Sequence, residues 1–118
     1  MIKEFTNREI VEQLNGLAAV LDSEQRYDAK LVFSISKNIN AFQEAYKPYE
    51  QTLNRIRGTH DEGAESKEMD KEIKELQEEK VEVDLRMIPF SSLEQYKFTI
   101  QEMLALSGMI LEQEDTVK

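Results

Sequence analysis

Few side chains in this sequence are equipped for covalent or acid–base chemistry. There is one histidine, His60, and no cysteine. His60 stands beside Asp61 and Glu62 in the stretch Gly-Thr-His-Asp-Glu-Gly-Ala-Glu, whose small and acidic residues predict a mobile loop over 58–65. Its imidazole could act as a metal ligand or a general base. One histidine without cysteine, however, needs several distant carboxylates to close a tight zinc site. A nucleophilic triad needs its base held by a third group, and nothing rigid is adjacent. The four glycines are scattered and form neither G-x-x-x-x-G-K-[ST] nor G-x-G-x-x-G, so no phosphate cradle is encoded. The acids lack the spacing of a calcium loop, and no Glu-x-x-His occurs for a carboxylate-bridged metal site between helices. Paired carboxylates carry little information where acids are this abundant. Tyr46 and Tyr49 could line a ligand pocket, although tyrosines so placed are more often core residues with hydroxyls at the rim. Arg26, Lys30, Lys37 and Lys47 are too scattered for a nucleic-acid stripe. The residues therefore nominate no catalytic residue, no cofactor-binding residue and no metal ligand. The expectation is a protein that is not an enzyme and uses no cofactor.

Charge narrows the partners. The formal net charge is −9, which repels nucleic-acid backbones and anionic membranes at long range. Residues 58–82 hold ten acids against four lysines, so six of the nine excess negative charges lie in one segment. That segment reads as a solvated helix face. The sharper alternative is a surface that docks a basic partner or imitates DNA. No apolar run approaches the ~18 residues of a membrane span, the first ten residues lack an apolar leader, and the absence of cysteine suits a reducing compartment. The expectation is a cytoplasmic protein of 118 residues folded as a single domain.

The elements that must position any site follow from periodicity. The organising stretch runs from about Asp28 to Arg57. Leu31, Ile35, Ile39, Phe42, Tyr46, Tyr49, Leu53 and Ile56 fall on one stripe of a helix roughly 45 Å long. Pro48 lies within it, facing away from the stripe. That predicts a kink on the solvent side, with a break near Lys47 as the alternative. Phe33 points almost opposite the stripe and should be covered by the C-terminal helix or by a second copy of the chain. Before this helix, Thr6 and Glu9 form a capping box, with Phe5 and Ile10 as a staple. A first helix then spans Asn7 to Leu21, with Ile10, Leu14, Leu17 and Leu21 inward. Gly16 weakens it by about 1 kcal/mol relative to alanine. Asp22 or Ser23 caps the following helix, and the short connection makes the two helices antiparallel neighbours.

After the acidic loop, a third helix covers roughly Ser66 to Glu79, with Met69, Ile73 and Leu76 on its narrow stripe. The period then changes to two. Val81, Val83, Leu85 and Met87 alternate with Glu82, Asp84 and Arg86, which predicts a half-buried strand closed by Pro89. A lone strand leaves its backbone groups unpaired, so it should pair with Met1–Phe5. Phe90 to Glu94 reads as a capped helical turn. Thr99 and Glu102 make a second capping box before a last helix over Ile100 to Glu112, with Ile100, Met103, Leu104, Ile110 and Leu111 inward. Glu114 to Lys118 is expected to be a disordered tail. The fold class is α+β, mainly α: an antiparallel helical hairpin with a long second helix, two further helices and a small two-stranded sheet.

This layout resembles a family of small uncharacterised proteins encoded by phages and prophages of gut and Gram-positive bacteria. The likeness is carried by Met1–Phe5, by Tyr27 to Lys37 with Phe42, by Met69–Glu94 and by "MLALSGMI" (Met103–Ile110). "VEVDLRMIPFSSLE" (Val81–Glu94) is its specific part, and Pro48 departs from the pattern. The resemblance implies a viral or prophage origin and a bacterial host cytoplasm, and it brings no catalytic residues. The leading expectation is a phage or prophage accessory or assembly protein that binds a viral or host protein, or a second copy of itself as a homo-oligomer, without direct contact to nucleic acid or membrane. Two alternatives stay open. One is an acidic decoy of a nucleic-acid-binding defence protein. The other is a helical domain binding a small ligand between Tyr46, Tyr49 and the C-terminal helix.

Overall fold

The computed structural model describes residues 1–59 and 66–111. His60, most of the expected 58–65 loop and the expected tail lie outside the described residues. Strand β1 (Ile2–Thr6) leads directly into helix α1 (Asn7–Leu21), at the limits the sequence predicts. The capping box forms: Glu9 N–H donates to Thr6 Oγ1 at 3.1 Å, and Thr6 N–H donates to Glu9 Oε1 at 2.8 Å. Helix α2 (Ala29–Thr59) packs against α1. Its cap differs from the expectation. Leu31 N–H donates to Asp28 Oδ1 at 2.8 Å, whereas Ser23 Oγ accepts from Gln25 N–H within the connecting turn. The turn after α1 is longer than the Asp22–Ser23 reading requires, so the residue that begins the new helix supplies its own cap.

Pro48 does not break α2. The helix passes through it with the proline exposed, and Thr52 Oγ1 donates to the Pro48 carbonyl at 2.7 Å. Helix α3 (Ser66–Gln77) packs on α2 and is tied to the start of α1. There, Asn7 Nδ2 donates to Leu76 O at 2.8 Å, Asn7 N–H donates to Glu79 O at 3.0 Å, and Arg8 pairs with Glu78 at 3.1 Å.

Strand β2 (Lys80–Asp84) pairs antiparallel with β1, with Ile2 opposite Asp84 and Thr6 opposite Lys80. The expected pairing of the N-terminal strand with the strand after α3 is therefore present. It ends earlier than predicted: Leu85 still exchanges backbone hydrogen bonds with Met1, at 2.8 Å each, but Arg86 N–H turns away to Asn38 Oδ1. A second, parallel pair joins β3 (Ile88–Pro89) to β4 (Ile110–Leu111) across a 3₁₀ turn over Phe90–Ser92 and helix α4 (Ile100–Ser107). The main core gathers Ile10, Leu17 and Val20 of α1, Leu31, Ile35 and Phe42 of α2, then Val83, Leu85 and Ile88, and Leu106 with Met109. Phe5 meets Phe42 edge-on at 5.1 Å.

The last helix departs most from the sequence reading. It ends at Ser107 rather than Glu112, because Met109 O accepts from Ile88 N–H at 2.7 Å and draws the chain into β4. Its buried face is also different. Ala105 and Leu106 point inward, followed by Met109, while Ile100 is 82% and Leu104 is 65% exposed. Gly16 explains the choice. A Cβ there would stand 2.5 Å from the Ala105 Cβ, so α1 and α4 approach where both residues are small. That contact turns Ala105 inward and Ile100 and Leu104 outward. Leu111 is exposed as well, and Met103 and Ile110 are only half-buried.

Candidate functional site

The outer face of α4 is where apolar side chains are least covered. Thr99 fixes how the helix begins: Glu102 N–H donates to its Oγ1 at 3.1 Å, and Thr99 N–H donates to Glu102 Oε1 at 2.8 Å. Glu102 is the one charged residue in α4, and this cap engages its carboxylate. The exposed ridge left by that arrangement is Ile100, Leu104 and Ser107, one helical turn apart at each step.

A cleft lies on each side of the ridge. Between α4 and α1 is a groove of about 510 Å³, lined by Glu12, Gln13, Asn15, Gln101 and Leu104 above the Gly16–Ala105 contact. The Gln13 Oε1 atom is buried without a hydrogen-bond partner. On the other side is a cleft of about 320 Å³ lined by Phe90, Leu93, Glu94, Tyr96, Phe98 and Met103. Its aromatic wall is braced from behind, since Tyr27 meets Tyr96 edge-on at 4.9 Å and stacks on Phe98 at 6.0 Å. Tyr96 is held in turn by Asp28, whose N–H donates to the phenol oxygen at 3.0 Å. Gln25 Nε2 donates to Lys97 O, and Lys97 N–H donates to Gln25 Oε1 at 2.9 Å, so the approach to α4 is fastened to the α1–α2 turn. Ridge and clefts together are a rigid, mostly uncharged relief. Exposed apolar patches of this kind mark interaction surfaces, and a braced aromatic pocket suits an anchoring side chain.

The other sequence candidates are placed differently. Tyr49 is buried and Tyr46 half-buried on α2, with their rings 5.8 Å apart. Helix α4 packs on α1, where Ala105 meets Gly16. The acids of α3 are exposed, but Lys71 and Lys74 share a surface groove with Glu75, Glu78 and Glu79, and Glu78 is paired with Arg8. Phe33 is 53% exposed, with Lys37 and Arg86 beside its ring. Among the described residues no group of three or more histidine or acidic side chains could hold a metal ion, and no helix is long and apolar enough to cross a membrane. The α4 ridge escaped sequence reasoning because its residues looked like core. The usable signal was the pair of small residues, Gly16 and Ala105. Comparison with protein-family models, with curated proteins and with solved structures yields no match for this chain.

Proposed function

We propose that this chain is a non-enzymatic binding protein whose docking surface is the outer face of α4, and that the first occupant of that surface is a second copy of the chain. The observation that carries the reading is the exposure of Ile100 and Leu104 between two clefts. A ridge beside a groove is self-complementary under a two-fold axis, with the ridge of each copy entering a cleft of the other. Charge supports the same occupant. Two copies of a chain with net charge −9 repel over most of their surfaces. The ridge itself carries no charge, and Glu12 and Glu94 stand only at the rims of the clefts. Service as a phage or prophage accessory protein in a bacterial cytoplasm belongs to the same proposal. It is supported by the resemblance of Val81–Glu94 and by the cysteine-free composition.

The test is sedimentation equilibrium of the wild type and of an Ile100→Asp, Leu104→Asp double variant, with circular dichroism as the control for folding. The expected result is a concentration-dependent dimer for the wild type and a folded monomer for the variant. A wild type that stays monomeric at about millimolar concentration, equivalent to association weaker than about 4 kcal/mol, would overturn self-association. A variant that dimerises as well as the wild type would remove α4 from the interface.

A further inference from the structure

A second surface, on the opposite chemical principle, is built where α2 meets the segment between β2 and β3. Asn38 is 1% exposed and grips the Arg86 backbone on both sides. Its Oδ1 accepts from Arg86 N–H at 2.7 Å, and its Nδ2 donates to the Arg86 carbonyl at 2.9 Å. The same Nδ2 also lies 3.1 Å from Met109 Sδ. A buried amide satisfied in this way fixes where Arg86 leaves the fold. The side chain is then fixed as well. Arg86 Nε donates to Ser34 Oγ at 2.9 Å, and its guanidinium carbon lies 5.3 Å from the Phe33 ring centroid.

Phe33 also has Lys37 Nζ 5.9 Å from its centroid. Lys30, one turn before Ser34, lines a small cleft of about 70 Å³ together with Ser34, Arg86 and Asp28. In a chain with nine excess negative charges, Arg86 thus stands between two lysines, with Lys37 beside the exposed Phe33 ring and Lys30 in the adjoining cleft. Among the described residues none of the three is in an ion pair, unlike Arg8 with Glu78 or Lys47 with Glu44.

We propose that Arg86, with Lys30 in the cleft on one side and Lys37 and Phe33 on the other, forms a receptor for the carboxylate of an acidic peptide segment. Ser34 occupies Nε, so the two terminal nitrogens of the guanidinium are the free fork, and two parallel N–H donors match a carboxylate. The fork is already ordered by Asn38 and Ser34, which lowers the entropy lost on binding. The cleft is far smaller than the ~300 Å³ or more of a typical small-molecule pocket. It receives one head group, while the remainder of the ligand lies over Phe33, and an apolar residue beside the acid suits that ring. Asp28 selects the kind of anion. Its carboxylate lines the cleft, where it accepts from Leu31 N–H. A single negative charge meets less repulsion there than a phosphate dianion does. The site is distinct from the α4 ridge, although Asp28 also holds Tyr96 of the neighbouring aromatic cleft, and it adds a partner of opposite character.

The test follows the Arg86 Nε–H signal and the backbone amides of Phe33, Ser34 and Lys37 by NMR in the labelled full chain, and binding by Arg86→Gln is read from those amides. The probes are a blocked Glu-Leu-Glu-Glu peptide, inorganic phosphate and acetate. The expected result is a saturable shift with the peptide, at concentrations below those needed for phosphate or acetate. Arg86→Gln should weaken peptide binding by about tenfold or more, and Lys30→Gln by about threefold, consistent with the loss of charge-assisted contacts. Lys30→Gln removes a charge that no described residue pairs with, so its effect does not pass through folding. The Ile100→Asp, Leu104→Asp variant should bind the peptide as the wild type does, which separates this site from the α4 surface. No saturable shift with the peptide, phosphate binding tighter than the peptide, or undiminished binding by Lys30→Gln and Arg86→Gln would each overturn the proposal.

Discussion

At Gly16 the usual cost of a helical glycine changes sign. In an exposed helix, alanine is better than glycine by about 1 kcal/mol. At Gly16 the added methyl would meet the Ala105 Cβ at 2.5 Å and push α1 and α4 apart. Overpacking of this kind typically costs about 1–3 kcal/mol. Gly58, near the end of α2, has nothing within 4 Å of the same position. Gly16→Ala should therefore lower the urea midpoint and Gly58→Ala should raise it slightly, and denaturation of the two variants side by side checks the contrast. The residue scale is also where the sequence concealed most. Lys30, Lys37 and Arg86 look scattered along the chain. Only the Asn38 clamp, acting across 48 positions, brings the arginine to the lysines.

Among the elements, those with their own local signals were legible. The Thr6–Glu9 box sets the start of α1, the stripe from Leu31 onward gives α2, and alternation from Val81 gives β2 with β1 as its required partner. Helix α4 was legible at its start, through Thr99 and Glu102, but not at its end or on its buried side. Eight residues make barely two turns, and both sides of the wheel are apolar, so periodicity could not choose between them. Strands β3 and β4 have two residues each, too few for any alternation to register. So short a helix depends on its cap and its packing. Thr99→Ala should cost about 1 kcal/mol, and it should speed amide exchange in α4 more than in α1. Equal acceleration in both helices would show that α4 does not open separately. If α4 frays, the ridge that it presents loses its shape, so the same substitution should weaken self-association.

For the whole molecule, shape and charge pull the two surfaces in different directions. The radius of gyration is 17.3 Å with extents of 57 × 33 × 22 Å, against roughly 13.5 Å for a compact chain of this length. The excess follows from α2, which is longer than the core it crosses; Tyr49 and Leu53 are buried beyond the main cluster. Salt should separate the two proposed interactions. Raising ionic strength from about 0.05 to about 0.5 M screens repulsion between acidic copies and attraction between Arg86 and a carboxylate. Self-association measured by sedimentation should tighten, while peptide binding measured by NMR should weaken. Both moving the same way would mean that one of the two assignments is wrong.

The pairing of β1 with β2 bears on how the protein is made. Ile2 faces Asp84, and β3 waits for β4, whose residues come later still. On a ribosome β1 emerges without its mate and stays exposed until the residues through Asp84 have followed it. Closure across so long an intervening segment is slow relative to helix formation. Nascent β1 is thus a bare edge that a chaperone could shelter, and the arrival of β2, rather than early collapse, sets the moment at which that edge is covered.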